Sequence, residues 1–457
     1  MSPYTLFLYT KSITLGNPWR NYLDCIEMKK SLMPYVARTI SSDALLKAKR
    51  SLFNLRAKLS GQAYVINIFI KPDDPYSYLL LQALPSIQAR FSIAMRFHVI
   101  NDLDEQMYPR LDMLRAYATY DAHQLAQLYS LDFPEEVPHV NQTDTETLSY
   151  YLVALKNDES FITQARHLLE QFWFNGNVPE KILEGISERQ NKLSNNFELL
   201  SKTGHYQGAM ISFDGEWYWA IDRLDHLEER LLQMGLAKQP DEKIYFDKTY
   251  KNFCKTQFNN SETTEPNTPL TLFWSARSPY SYIAIEKAVT MAQHYHLPLE
   301  IKPVMPMMMR GMNVPHTKKM YIFLDTKREA RKLGIPYGFV ADPLGKAVER
   351  CYALIDYADS KNLLNAFLLS FARGVNAQGI RAETDKGMKE IVTRCGLDWS
   401  IAKMKLNNDQ WKLRVQKNLD EMFAMGCWGV PCIRYEDQHY WGQDRFAMLE
   451  NHILRNK

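Results

Sequence analysis

The chain carries one pattern twice, and that repeat restricts its architecture more than any other feature. The first copy reads Val65-Ile-Asn-Ile-Phe-Ile70 and then Asp74-Pro75-Tyr76-Ser77-Tyr78. The second reads Leu270-Thr-Leu-Phe-Trp274 and then Ser278-Pro279-Tyr280-Ser281-Tyr282. Asp74 and Ser278 are separated by 204 residues, and Tyr117 to Asp121 matches Tyr321 to Asp325 at the same offset. A third block pairs Gly208-Ala209-Met210 and Trp219 to Arg223 with Gly429-Val430-Pro431 and Trp441 to Arg445. From Asp222 to Asp444 the offset is 222, so the second copy gains 18 residues between its middle and its end. Three blocks in one order at nearly one spacing mark two copies of a single domain, residues 62–236 and 268–457. A length of 457 would otherwise suggest about three domains.

The remaining segments match neither copy. Within residues 1–61, Asp43 to Leu59 has apolar residues at helical spacing, with Ser42 or Asp43 as its cap. This extension is expected to pack on the first copy. Residues 237–267 connect the copies, and Asn259 to Pro269 is polar enough for an exposed linker. With 46% hydrophobic and 23% charged residues, the chain has the composition of a globular protein. A net charge of +3 offers no global field for nucleic acid or an acidic membrane, so neither is an expected partner. No apolar run reaches the ~18 residues of a spanning helix, and Met1 to Ser12 has no signal-peptide pattern. A cytoplasmic location is the expectation.

Six scattered cysteines include no Cys-x-x-Cys, which removes the simplest zinc and dithiol signatures, and no metal is expected. Cys427 and Cys432 flank a Trp-Gly-Val-Pro turn and read as two unrelated reduced thiols, with a disulfide or a ligand pair as alternatives.

Each copy opens with a strand-length apolar run, a proline turn and a helical pattern beginning at that proline. In the second copy, strand Leu299 to Val304 follows. Helical stretches then cover Lys318 to Leu333, Pro343 to Ser360, Leu363 to Arg373 and Ala382 to Cys395. Strands Cys432 to Tyr435 and His439 to Trp441 precede a closing helix, Arg445 to Leu454. The expected fold is therefore α/β: two tandem thioredoxin-like domains, each in the order β-α-β, all-helical insertion, β-hairpin and closing helix. In that order the helix after the first strand presents unpaired N–H groups and a positive dipole end. Pro431 ahead of a strand reads as a cis turn facing it.

The second copy resembles the DsbA-like branch that holds 2-hydroxychromene-2-carboxylate isomerases and kappa-class glutathione transferases. The resemblance rests on Ser278 to Tyr282, Asn313, Lys318 to Tyr321 and Asp325, Gly334-Ile335-Pro336, Gly429-Val430-Pro431 and Gly442 to Arg445. It implies that Ser278 replaces the redox cysteine and holds the thiolate of glutathione, the cosubstrate. A plain helix cap is the alternative role for Ser278. The resemblance further places Val430 and Pro431 against the cysteinyl part of glutathione. Gln443 and Asp444 would hold its γ-glutamyl end, and Asn313 and Lys318 would line the site. Met305 to Met309 and Met312 read mainly as core, with some able to line a pocket for an aromatic substrate.

The first copy departs from the pattern. Asp74 stands for Ser278, Met210 for Pro431, Leu114 for Lys318 and Ile221 for Gln443. It reads as a degenerate structural partner, with Asp74 as a general acid the alternative. A glutathione-dependent isomerase or transferase active in the second copy follows. Its rivals are a DsbA-like thiol–disulfide oxidoreductase and a non-catalytic two-lobed binding protein. Because the family pairs such domains, the tandem chain is expected to form an intrachain pseudo-dimer, with a homodimer as the alternative.

Overall fold

A computed structural model of the chain describes residues 18–180, 184–240, 242–251, 253–255 and 268–455. Part of the expected linker, residues 256–267, and the stretch Met1 to Ser12 lie outside them.

The amino-terminal helices are α1 (Pro18–Ile40) and α2 (Asp43–Ser60). The first lobe continues through β1 (Val65–Ile70), α3 (Pro75–Arg90) and β2 (Ala94–Val99). Its helical insert is α4 (Leu111–Tyr129), α5 (Gln142–Ala154), α6 (Phe161–Asn175) and α7 (Ile186–Thr203). It closes with β3 (Met210–Phe213), β4 (Glu216–Trp219) and α8 (Leu224–Gln233), and a short α9 (Lys248–Lys251) follows. The second lobe runs β5 (Leu270–Trp274), α10 (Pro279–His294), β6 (Leu299–Pro303) and α11 (His316–Lys332). Its insert continues with α12 (Lys346–Ala353), α13 (Ile355–Asp359), α14 (Leu364–Ala377), α15 (Asp385–Arg394), α16 (Trp399–Lys405) and α17 (Trp411–Ala424). The lobe ends with β7 (Cys432–Tyr435), β8 (Gln438–Trp441) and α18 (Phe446–Arg455).

The two sheets have the same strand order, β2-β1-β3-β4 and β6-β5-β7-β8. In each, a parallel pair is joined by a crossover helix, and an antiparallel hairpin is added on the other side. The first and fifth strands sit at the sheet centres, and β5 is buried along its whole length. Prolines 75 and 279 open the crossover helices, where a missing N–H costs nothing. The hairpin between β3 and β4 turns on Asp214 and Gly215, both at positive φ, which suits a two-residue turn.

Several elements differ from the sequence expectation. The stretch 343–360 is two short helices, and α1, α16 and α17 were not anticipated. Pro34 lies inside α1 and argues against a helix when only the sequence is read. In contrast, α17 carries a readable buried stripe of Trp411, Val415, Leu419 and Met422. The amino-terminal extension does not pack on the first lobe alone. Ser42 caps α2, and α2 meets the first lobe through Arg50, bidentate to Glu216 at 2.7 Å, and Phe53, edge-on to Phe213. Helix α1 instead crosses the second lobe, where Tyr35 packs on Phe339 at 5.1 Å and Ser41 fills the space beside Gly338. Residues 242–255 are packed as well. Tyr245 and Phe246 donate backbone N–H groups to Glu228 at 2.9 Å, and Cys254 donates one to Glu450 at 2.6 Å.

The lobes meet through two arginines that exchange places. Arg445 of the second lobe reaches Asp121 at 2.7 Å and Asp222 at 2.8 Å in the first. Arg223 of the first lobe reaches Asp325 and Asp444 in the second, each at 2.8 Å. These are the repeat-related residues of the third and second sequence blocks. Tyr76 and Tyr280 donate their hydroxyls to Asp121 and Asp325 at 2.7 and 2.8 Å, completing each half. Both guanidinium groups are almost wholly buried. Burial alone would lower their pKa values, but the facing carboxylates hold them well above the usual range. No helix among the described residues is long and apolar enough to cross a membrane.

Removing one buried arginine strands two buried carboxylates. Arg445→Ala is expected to lower the unfolding free energy by about 3–5 kcal/mol, measured by urea denaturation. A loss below about 1 kcal/mol would show that these pairs contribute no more than exposed ones.

Candidate active site

Both crossover helices begin at one cavity. It has a volume of about 720 Å³ and lies between the lobes, with Asp74 and Ser278 in its wall. Ser278 precedes Pro279 in an extended conformation, and its side-chain oxygen accepts from the N–H of Ser281 at 3.2 Å. The cap role read from the sequence is therefore present, and the hydroxyl hydrogen remains to be donated elsewhere. Behind it, Ser281 accepts from the N–H of Ser275 at 3.4 Å and ties the strand end to the helix start. Beside it, Arg277 forks onto Asp342 at 2.8 Å.

The turn opposite is built from Trp428 to Pro431. The Val430–Pro431 peptide bond is cis, and both residues line the cavity. Trp428 and Trp441 pack against each other at 4.6 Å with their rings tilted by 38°, and Tyr117 of the first lobe meets Trp428 at 5.8 Å. Cys427 and Cys432 bracket the turn and are paired as a disulfide. This corrects the reading of two unrelated thiols: the turn doubles back, so ends five residues apart face each other.

The other sequence candidates separate. Lys318 lines the cavity, but its ammonium donates to the backbone oxygen of Met107 in the first lobe. It lies 5.7 Å from the rings of Tyr108 and Tyr206, and burial pushes its pKa down to about 8. Gln443 borders the cavity, but it is fully buried and its amide is committed to protein partners. It donates to Glu329 at 3.0 Å and to Asp444, and it accepts from Lys287 at 2.9 Å. Asp444 also borders the cavity, yet Arg223 occupies its carboxylate. Asn313 is exposed and stands apart from the cavity wall. Of the methionines, Met307 and Met308 line the cavity and Met305 and Met309 pack on the core.

The first lobe supplies more than a third of the wall. Tyr108, Arg110 and Tyr206 face the cavity, and none was a sequence candidate. They lie outside the repeated words, so only the lobe contact brings them here. Asp74 caps α3 by accepting from the N–H of Tyr76 at 3.2 Å and the hydroxyl of Ser77 at 2.8 Å. A side chain at Gly208 would collide with this carboxylate, so glycine makes room for it. Burial raises the Asp74 pKa to about 6, while the Ser77 bond and Lys71 pull the other way. Lys71 itself pairs with Asp73. Helix α1 adds Met33, Val36 and Ile40 to the wall.

This strand order, the helix start and the cis-proline turn define a thioredoxin-type domain, and residues 270–454 match the family model of the DSBA-like thioredoxin domain. The second lobe is a DsbA-like thioredoxin domain. Among curated proteins, the chain is similar to 2-hydroxychromene-2-carboxylate isomerase of Sphingobium xenophagum, at 24% identity over 39% of this chain and 93% of that protein. The corresponding enzyme of Pseudomonas putida is 23% identical over 39% of this chain and 90% of that protein. Among solved structures, a 2-hydroxychromene-2-carboxylate isomerase covers 41% of this chain and 95% of its own, with 22% identity and a TM-score of 0.37. The cytosolic disulfide reductase DsbM from Pseudomonas aeruginosa with GSH covers 41% and 99%, with 16% identity and a TM-score of 0.30.

The Asp74 pKa has a consequence for stability. Unfolded, the carboxyl titrates near ~3.9; folded, it keeps its proton to about pH 6. The folded chain therefore holds a proton that the unfolded chain has released, and stability falls as pH rises through this window. Asp74→Asn is expected to gain about 1–3 kcal/mol over wild type on going from below the window to neutral pH. Melting temperatures of both proteins across that range provide the check, and a constant difference would contradict the buried-carboxyl account.

Proposed function

We propose that the second lobe is a glutathione-dependent isomerase of the 2-hydroxychromene-2-carboxylate isomerase type. A kappa-like glutathione transferase would share its first step. The observation that carries this reading is Ser278: a hydroxyl at the start of α10, open to a large cavity, facing the Val430–Pro431 turn. A hydroxyl there donates to a thiolate, and the helix start adds N–H groups and a favourable dipole. Glutathione then brings the sulfur that this helix start lacks.

In the isomerase reading the thiolate attacks an electrophilic carbon of an unsaturated aromatic acid. A C–S bond forms, and the electrons of the double bond move onto its conjugated acceptor. The former double bond rotates as a single bond. The electrons then return, the C–S bond breaks, and the thiolate leaves unchanged, so no oxidant or reductant is consumed. The transferase version keeps the C–S bond. Val430 would pair its backbone with the cysteinyl part of glutathione, and Met307, Met308 and Trp428 offer apolar surface for the aromatic ring. Asp444 would share its carboxylate between Arg223 and the γ-glutamyl ammonium.

The first lobe reads as a duplicated thioredoxin-like domain whose thiol site is closed by Asp74, and the chain as an intrachain pseudo-dimer. Supporting this are the common strand order and the exchanged arginines. A reducing, glutathione-rich cytoplasm suits the reading. One observation favours a thiol–disulfide oxidoreductase instead: the Cys427–Cys432 disulfide brackets the proline turn. Both cysteines are wholly buried, which closes them to an incoming thiolate and leaves this the weaker reading.

Ser278→Ala is expected to cut glutathione-dependent turnover by about 100-fold or more. It should also raise the pKa of bound glutathione, read from ultraviolet thiolate absorbance. Wild type that neither binds glutathione by calorimetry nor lowers its pKa would defeat the proposal. Insulin reduction that disappears in Cys427→Ser would replace it with the redox reading.

A further inference from the structure

Net charge set membranes aside, but +3 over the whole chain conceals a local imbalance on α2. None of the residues of α2 is buried. Its inner side meets the first lobe through Arg50 and Phe53, as described above. Its outer side carries Ala48, Leu52, Leu55 and Leu59, which recur every three or four residues and so form one stripe. The three leucines are 49%, 54% and 79% exposed. At about 100° per residue, Lys47 and Lys58 flank the stripe on one side, and Lys49 and Arg56 flank it on the other. None of these four cations makes an ion pair among the described residues, whereas Arg50 is paired with Glu216 and Asp43 with Arg331.

We propose that α2 docks this protein onto an anionic lipid surface. The leucine stripe would enter the boundary between headgroups and acyl chains. The flanking lysines and arginine would extend their stems along it and place their charges among the phosphates. Charge selects this occupant over others. A second copy of α2 would press four unpaired cations against four, which is repulsive. Nucleic acid would satisfy the cations and leave an uninterrupted leucine stripe in water. Through Ser41 and Ser42, the docking helix connects directly to the helix whose Met33, Val36 and Ile40 line the cavity. This inference is independent of the chemistry assigned to Ser278.

Sedimentation of the full-length protein with sucrose-loaded vesicles tests it. Binding is expected to phosphatidylcholine vesicles that contain phosphatidylglycerol and not to phosphatidylcholine alone, and it should weaken as salt rises. Replacing Lys47, Lys49, Arg56 or Lys58 with Ala should lower the partition constant about fivefold each. The triple variant Leu52→Ser, Leu55→Ser, Leu59→Ser should lower it by more than about tenfold. All these side chains are exposed, so circular dichroism and the unfolding midpoint should match wild type. The proposal is overturned if wild type shows no preference for anionic vesicles, or if the triple-serine variant binds them as well as wild type does. It is also overturned by tighter binding to duplex DNA than to vesicles. A dimer in light scattering that the triple-serine variant splits, without vesicle binding, would assign the stripe to a second copy.

Discussion

Everything at the candidate site depends on the exchange of Arg223 and Arg445 between the lobes. Each arginine leaves its own lobe and neutralises two aspartates in the other. Neither set is satisfied alone. Separated, the first lobe would carry Asp121 and Asp222, and the second Asp444, without their arginine, and Asp325 would keep only Arg328 at 3.4 Å. Such groups are expensive to bury unpaired and need near-ideal geometry to coexist. The interface is therefore specified in register as well as held together. Asp444 adjoins the cavity, so the same contact shapes the cavity and the lobe packing.

The consequence is a composite cavity. Ser278 and the proline turn come from one lobe, while Tyr108, Arg110, Tyr206 and Asp74 come from the other. Lys318 illustrates the coupling. It belongs to the second lobe, yet its ammonium is bound by a backbone oxygen and two aromatic rings of the first. A lobe without a thiol-type site can thus still determine the shape and electrostatics of its neighbour's pocket. Asp74 marks the difference between them most clearly. It keeps the capping geometry of Ser278 but places an acidic group where a sulfur would be repelled whenever the acid is ionised.

Much of the fold was legible from the sequence because its signals are local. Apolar runs, helix-opening prolines and the turn before Cys432 each report on a few neighbouring residues, and β7 falls where the sequence placed it. The missed helix α1 shows the limit of that reading. Pro34 speaks against a helix locally, and only the second lobe's surface supplies the contacts that hold it. The site was legible in part. Ser278, Val430, Pro431 and Lys318 do gather around one cavity. Gln443 and Asp444 border it too, although Gln443 spends its amide on Lys287 and Glu329, partners far from it in sequence, and Asn313 does not join them.

By itself, the sequence determined that one pattern recurs, most of the strand and helix order around each occurrence, and that serine opens one crossover helix where aspartate opens the other. These follow from residue identity and spacing, which chain-local physics reads directly. Tertiary structure alone decided which charges pair across the lobes, that Cys427 and Cys432 meet, and that the first lobe walls the second lobe's pocket. It also decided which face of α2 turns outward. Those outcomes depend on distances between residues remote in sequence, and the energies involved, desolvation and charge pairing, exist only once the surfaces have met.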